Sequence, residues 1–234
     1  MKTVHHHSAA VLIAPNGTLD SVLLGMYDET YPVKVFRNHY NLIGGNPHGD
    51  MSPLDTLKRE LDEELNSSSV YSAETVGKII GSREADVKTD YQTGRVYASP
   101  DKLNELKLEI LKNVGGYRDY VVEIDKDQVK TDKDLIFILS VYLSRINRGL
   151  FNDIKMELKS GKQIVNEGNA VVATPEELAS GKVRGSWGYS TIVGDILGIK
   201  VPEYGFVRAT SLGTVPRNSF EEYKSDFLYE RNPE

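Results

Sequence analysis

The chain of 234 residues has no cysteine. Disulfides, thiolate metal ligands and a cysteine nucleophile are therefore excluded, and a reducing, cytoplasmic setting is the expectation. Long apolar runs are missing too. None approaches the roughly 20 residues needed to span a bilayer, so no membrane partner is expected. The stretch "AAVLIA" (9–14) follows a single lysine, is too short for a secretory core, and reads as a strand. Long basic runs are also absent, and the net charge is −6. Binding to a phosphate backbone draws on Lys and Arg. A long nucleic acid is thus not an expected partner, whereas a small nucleotide met through a cation suits an acidic chain. All five histidines lie within the first 48 residues, with His5–His7 in one run. That run is set aside from functional reasoning.

What is present is a globular balance of 39% hydrophobic and 26% charged residues, enough for a core without staples. No repeat, low-complexity tract or clean linker divides the chain, so one domain with insertions is expected. "SAAVLIAPNGTLDSVLLGMYD" (8–28) reads as two strands around Pro15-Asn16-Gly17, since Asn-Gly tolerates the positive φ of a hairpin turn. "NLIGGN" (41–46) is a short strand ending in two glycines. Further along, strand character marks 75–87, 119–125, 135–146 and 169–173, the third of these buried on both faces. Helical patterning marks 99–113, 150–161, 174–181 and 189–198, where "TPEELASG" (174–181) carries a capping box and a Gly stop. The tail from Lys200, rich in Tyr, Phe and charge, shows no clear pattern.

The segment 52–66 is predicted to be a helix. Ser52 suits the N-cap, Pro53 the first helical position, Asp55 completes a capping pattern, and Asn66 can end the helix in the left-handed conformation. Leu54, Leu57, Leu61 and Leu65 form one narrow apolar stripe. Glu60, Glu63 and Glu64 stand at i, i+3 and i+4 and cluster within about 100° of one another, beside that stripe. Like charges so spaced cost about a few tenths of a kcal/mol on an isolated helix, and more at a half-buried edge. A divalent cation would remove the cost, and an oxygen-only donor set favours Mg²⁺ or Mn²⁺. A solvated acidic face laced with Lys58 and Arg59 is the other reading of this helix alone.

The residues around this helix, "GGNPHGDMSPLDTLKRELDEEL" (44–65), resemble the Nudix box, G-x5-E-x7-R-E-U-x-E-E-x-G-U, where U is apolar. Gly45 takes the box glycine, Arg59-Glu60-Leu61 the R-E-U and Glu63-Glu64 the E-E. Three positions depart: Met51 stands where the box has its first Glu, with Asp50 one residue early, Asn66 replaces the second Gly, and Ser67 the last apolar residue. The likeness covers roughly residues 6–198 but is close only in the box.

The resemblance implies an α/β (α+β) fold, an α/β/α sandwich around a mixed central sheet. It would occupy residues 1–200, with an extra helical insertion near 91–118 and a C-terminal extension, 201–234, packed on the same domain. It implies metal-dependent hydrolysis of the pyrophosphate bond in a nucleoside diphosphate linked to another moiety, of ADP-ribose or nucleotide-sugar type. By the same resemblance Mg²⁺ or Mn²⁺ is held by Glu60, Glu63, Glu64 and the backbone carbonyl of Gly45, and Arg59 orients a carboxylate. The general base is Glu167, in "IVNEGNAVVATPEEL", or a box glutamate. Many relatives dimerise, which leaves a homodimer open. Tyr31, Phe36 and Tyr40 are candidates to stack on a base, with packing as their other reading. His39 and His48 are candidates to touch phosphate, and Trp187 reads as core or loop anchor. "SGKQ" (160–163) is rejected as a P-loop ending because Met156 takes the place of its first Gly. A non-catalytic nucleotide sensor of the same fold is the alternative. The isomerase branch, which resembles cysteine-assisted proton transfer, is disfavoured by the missing cysteine.

Overall fold

Strand β1 (His7–Pro15) is buried at every position, so it needs neighbours on both edges and a layer on both faces. One edge takes β9 (Leu135–Ile146) in parallel, from His7↔Ile138 to Pro15↔Ile146. The other edge is shared. β2 (Val22–Met26) meets it at Ile13↔Leu23, and β4 (Ile43–Gly45) pairs from Ala9↔Gly45 to Val11↔Ile43. β3 (Tyr40–Asn41) pairs with β2. The first two strands therefore splay apart, and the β3–β4 stretch is wedged between them. β8 (Val114–Ile124) and β11 (Val207–Val215) extend the sheet beyond β9, and β10 (Asn169–Ala173) extends it beyond β2. The result is an eight-stranded mixed sheet of order β10-β2-β1-β9-β8-β11, with β3 and β4 off that path. A second, three-stranded antiparallel sheet joins β5 (Ser69–Tyr71), β6 (Ala85–Asp90) and β7 (Arg95–Pro100). This computed structural model describes residues 6–49, 51–65, 69–71, 85–90, 95–130, 135–161, 164–165 and 168–215.

Six α-helices are described, besides a 3-10 turn at Lys34–Phe36: α1 (Pro53–Glu64), α2 (Asp101–Lys112), α3 (Lys126–Val129), α4 (Arg148–Lys159), α5 (Pro175–Ala179) and α6 (Tyr189–Leu197). On one face of the main sheet, Leu57, Leu61 and Leu65 join Leu106, Ile110, Phe151 and Ile154 over Val11, Ile13 and Tyr142. On the other, Phe36, Tyr40, Ile192, Val193 and Val201 pack on Leu12, Leu24, Tyr120 and Val122. Helices on both faces of a mixed sheet make this an α/β/α sandwich, as expected. Each fully buried aliphatic side chain contributes about 1.5–3 kcal/mol of transfer free energy, so the two clusters dominate the fold's stability. Among the described residues, no helix is long and apolar enough to cross a membrane.

The structure refines several expectations. Both strands of the 8–28 hairpin form, but residue Asn16 donates its amide to Ile146 O at 2.8 Å rather than closing a tight turn onto β2. The neighbour across the other edge, β9, claims it. The strand expected at 119–125 starts earlier, at Val114, with an irregularity between Val114 and Tyr117. The unpatterned tail supplies edge strand β11, paired antiparallel with β8. The 91–118 stretch holds β7, α2 and the start of β8, with β5 and β6 preceding it. Asn66 and residues 75–84 lie outside the described residues.

Candidate active site

Helix α1 is built as its sequence dictates. Ser52 Oγ accepts the Asp55 amide at 3.2 Å and donates to Asp55 Oδ2 at 2.7 Å, and Pro53 opens the helix. Leu57, Leu61 and Leu65 are buried against the sheet. That fixes the helix rotation and turns Glu60 down onto the end of β4.

At this point the two glycines have separate duties. Gly44 has φ +149°, and a Cβ there would lie 2.2 Å from the carbonyl oxygen of Ala9, so backbone passes where a side chain would stand. At Gly45, a Cβ would lie 2.5 Å from Glu60 Oε1 and 2.8 Å from Oε2. The Glu60 carboxylate thus occupies the space a side chain at 45 would fill. Beside it, Arg59 donates from Nη1 to Glu63 Oε2 at 2.6 Å and from Nη2 to the carbonyl of Asn46 at 2.6 Å, and it also contacts Glu60 Oε1. Burial opposes the charge of Arg59, but the hydrogen bond to Glu63 and the charge of Glu60 outweigh it and raise its pKa above the ordinary guanidinium value. The guanidinium is locked on as a permanent cation between two acids. Glu63 is 55% exposed and Glu60 13%, while Glu64 is buried. Among the described residues, no three acidic or histidine side chains are gathered into one group.

Aromatic side chains form a wall with the core of the other sheet face. Tyr27 and Tyr31 stack with centroids 3.6 Å apart. The indole N–H of Trp187 donates to Tyr31 Oη at 3.1 Å, and Trp187 packs on Phe36 at 4.6 Å. Trp187 holds φ +47° and Gly188 φ +84°, a left-handed pair that turns the chain into α6; for a bulky residue this conformation is costly. Hydrogen bonds hold the turn against β3: Ser186 donates its amide and Oγ to the carbonyl of Tyr40 at 2.9 and 3.0 Å. Tyr189 follows, buried. Burial first, then Tyr31, Glu64 and Glu60, raises the pKa of its hydroxyl. Burial, with Tyr189 and Tyr31, likewise raises Tyr27. Burial pushes Tyr40 up to about 12.

The structure therefore brings Gly45, Arg59, Glu60 and Glu63 into contact, with Glu64 one turn on. Tyr31 lies in the wall. Phe36 is fully buried behind it, packed in the core. His48 is exposed in the loop between β4 and α1. His39 contacts Tyr204, away from the helix acids, through its Nε2. Glu167 and Asp50 lie outside the described residues. Sequence reasoning missed Asn46, Ser8 and Tyr189. Asn46 is the residue after the paired glycines, its Oδ1 taking the Ser8 hydroxyl at 2.7 Å, and its place beside Gly45 was the available signal. Nothing local in the sequence marks Tyr189, which joins Phe36 and Tyr40 in the core only through the fold.

The donor type, carboxylate and backbone carbonyl oxygen, is the one a hard divalent cation takes. No family model and no curated protein matches the chain. Among solved structures, 85% of the chain is similar to a bifunctional NMN adenylyltransferase/ADP ribose pyrophosphatase from Francisella tularensis, at 11% identity and TM-score 0.40. The chain spans 42% of that protein's length. A MutT protein from Methanosarcina mazei Go1 is similar over 83% of this chain and 94% of its own, at 10% identity and TM-score 0.41. A mutT/nudix family protein from Listeria innocua is similar over 84% of this chain and 94% of its own, at 9% identity and TM-score 0.42.

Proposed function

We propose that the chain is a Mg²⁺- or Mn²⁺-dependent hydrolase of the pyrophosphate bond in a nucleoside diphosphate joined to a second moiety, of ADP-ribose or nucleotide-sugar type. The observation that carries this reading is the seating of Glu60 in the Cβ-free space of Gly45, with Arg59 clamped between Glu60 and Glu63. For these residues the box resemblance implies a cation held by the three glutamates and the Gly45 carbonyl, with Arg59 orienting a carboxylate.

Glu60, Glu63, Glu64 and the Gly45 carbonyl would hold the cation. When bound, such an ion neutralises the pyrophosphate and acidifies a water. Arg59 orients Glu60 and Glu63 and keeps their charge balanced before binding. Glu63, exposed and held by Arg59, would have to leave Arg59 to serve as a ligand. Tyr31, held by Trp187, offers its ring to a base, and His48 its imidazole to a phosphate. Glu167 is the proposed base. Small nucleotides are the proposed partners, in a cytoplasmic setting.

The test is a screen of nucleotide substrates with Mg²⁺ or Mn²⁺, against Glu63→Gln and Glu64→Gln. Turnover is expected in wild type and lost in both variants. Turnover unaffected by both changes removes the assigned site. A wild type that binds nucleotides but cleaves none across a broad panel is a sensor instead. Glu167→Gln is expected to slow turnover far more than it weakens metal binding, and wild-type rates in that variant retire it as base.

A further inference from the structure

One buried polar group in the main sheet takes no part in the site above. His7 on β1, Ser140 on β9 and Asp119 on β8 form a line across three strands. His7 Nε2 lies 2.6 Å from Ser140 Oγ, and Ser140 Oγ donates to Asp119 Oδ1 at 2.5 Å. His7 Nε2 is 3.7 Å from Asp119 Oδ1. The hydroxyl proton is given to Asp119, so His7 Nε2 is the donor toward Ser140. His7 is 7% exposed, and Ser140 and Asp119 are 0% exposed. Among the described residues Asp119 Oδ2 has no hydrogen-bond partner. An unsatisfied buried acceptor costs about 1–3 kcal/mol, and apolar side chains of similar volume would avoid that cost. As a source of stability the network is poor.

The strands it joins lack a different kind of information. β1 is buried throughout, and its two faces are near equivalents: Ala9, Val11 and Ile13 on one, Ala10, Leu12 and Ala14 on the other. β9 is also mostly buried on both faces. A slip of one residue exchanges the faces, and here the exchange exposes no charge and buries no new one beyond the trio itself. The hydrophobic pattern thus specifies the parallel β1–β9 alignment only weakly. A polar trio whose His7–Ser140 and Ser140–Asp119 hydrogen bonds form in one alignment penalises slipped ones, because each breaks those bonds and leaves more buried polar groups unpaired.

Alignment matters at the candidate site. Ala9 pairs with Ser140 across one edge and with Gly45 across the other, and Ser140 pairs with Asp119. Asp119, Ser140, Ala9 and Gly45 therefore share one row of the sheet. Beside His7, Ser8 holds the side chain of Asn46, whose carbonyl accepts from Arg59. We propose that His7, Ser140 and Asp119 are positioning residues, a lock on strand register that sets Gly45 and Asn46 under Glu60 and Arg59. The consequence for cation binding rests on the hydrolase reading; the register itself does not.

The test compares wild type, the apolar triple variant His7→Leu/Ser140→Ala/Asp119→Leu, and the conservative Asp119→Asn, which retains an acceptor for Ser140. The amide signals of Gly44 and Gly45 are read in ¹⁵N-glycine-labelled protein, together with the urea midpoint and a Mn²⁺ titration. The triple variant is expected to fold with a midpoint at or above that of wild type. Its Gly44 and Gly45 signals split into several, and its Mn²⁺ affinity falls about tenfold, as for other outer-shell changes. Asp119→Asn keeps single signals. Single Gly44 and Gly45 signals in the triple variant overturn the proposal. Should that variant fail to fold, Ser140→Ala alone is read at the same two glycines, where split signals support the lock and single signals overturn it. A wild type that binds no Mn²⁺ sinks the hydrolase reading, while the glycine signals still decide the register.

Discussion

Gly45→Ala adds one methyl group where the Glu60 carboxylate now sits. The new Cβ would lie 2.5 Å from Oε1 and 2.6 Å from Cδ, whereas ordinary contact begins at 3.4 Å. The carboxylate must retreat by about 1 Å, because repulsion at the shorter distance exceeds any attraction available there. Gly45 is not among the positive-φ glycines, so alanine strains no backbone. The obstacle is the end of a flexible side chain, and the loss of stability is therefore at the low end of overpacking, about 1 kcal/mol. The functional loss is larger. A misplacement of about 1 Å in a reacting constellation costs about 100-fold in rate, equivalent to about 2.7 kcal/mol of barrier. The assay is kcat/KM on the best substrate of the nucleotide panel with Mg²⁺, alongside urea unfolding. Gly44→Ala is the contrast: its Cβ would meet backbone, 2.2 Å from Ala9 O and 2.5 Å from Ala10 Cα. Backbone cannot retreat as a side chain can, so that variant is expected not to fold. A Gly45→Ala protein with wild-type kcat/KM would refute the claim that Glu60 must sit in this cradle.

Thr174→Ala removes one half of the capping box on α5, the Thr174 Oγ1 that accepts the Glu177 amide, and leaves the backbone amide of residue 174 to donate to Glu177. The expected loss is about 1 kcal/mol, read from the urea midpoint, with turnover unchanged. Burial raises the pKa of Asp195, but hydrogen bonds from Tyr120 and Arg118 and the charge of Arg118 outweigh it and hold the carboxyl below its ordinary value. Its stabilising effect is then complete above about pH 4 and is lost as pH falls through the lowered folded value. Asp195→Asn should flatten the acid limb of a Tm–pH profile, and an unchanged limb would contradict the assignment. Trp187 is the single tryptophan of the chain and touches Tyr31. Its fluorescence is expected to change on adding ADP-ribose and to stop responding in Tyr31→Ala; an equal response in both would detach Tyr31 from the base.

What could be read from sequence was whatever local chemistry decides. Ser52 and Pro53 start α1, Thr174 and Glu177 cap α5, and the leucine stripe sets which side of α1 faces the sheet. Those rules also placed Glu60, Glu63 and Arg59 on neighbouring turns. The rest depends on partners far along the chain. The wedge of β3–β4 between β1 and β2 follows from pairing, not from the composition of "NLIGGN". β11 emerges from a stretch with no clear alternation because β8 supplies its ladder. Tyr189 enters the core through a left-handed turn at Trp187 and Gly188 that no propensity announces. His7, set aside as one of three consecutive histidines, is buried by strands that only the fold brings to it.

The parallel partner of β1 comes late: Ser140 lies 133 positions after His7. A ribosome adds about 5–20 residues per second, so the nascent chain carries an apolar first strand for on the order of ten seconds before its main neighbour exists. Pairings that distant are slow to form once the chain is released. Until then β1 has an open edge and is greasy on both sides, a template for aggregation. Soluble yield should accordingly depend on growth temperature and on chaperone supply more than the finished protein's stability would suggest.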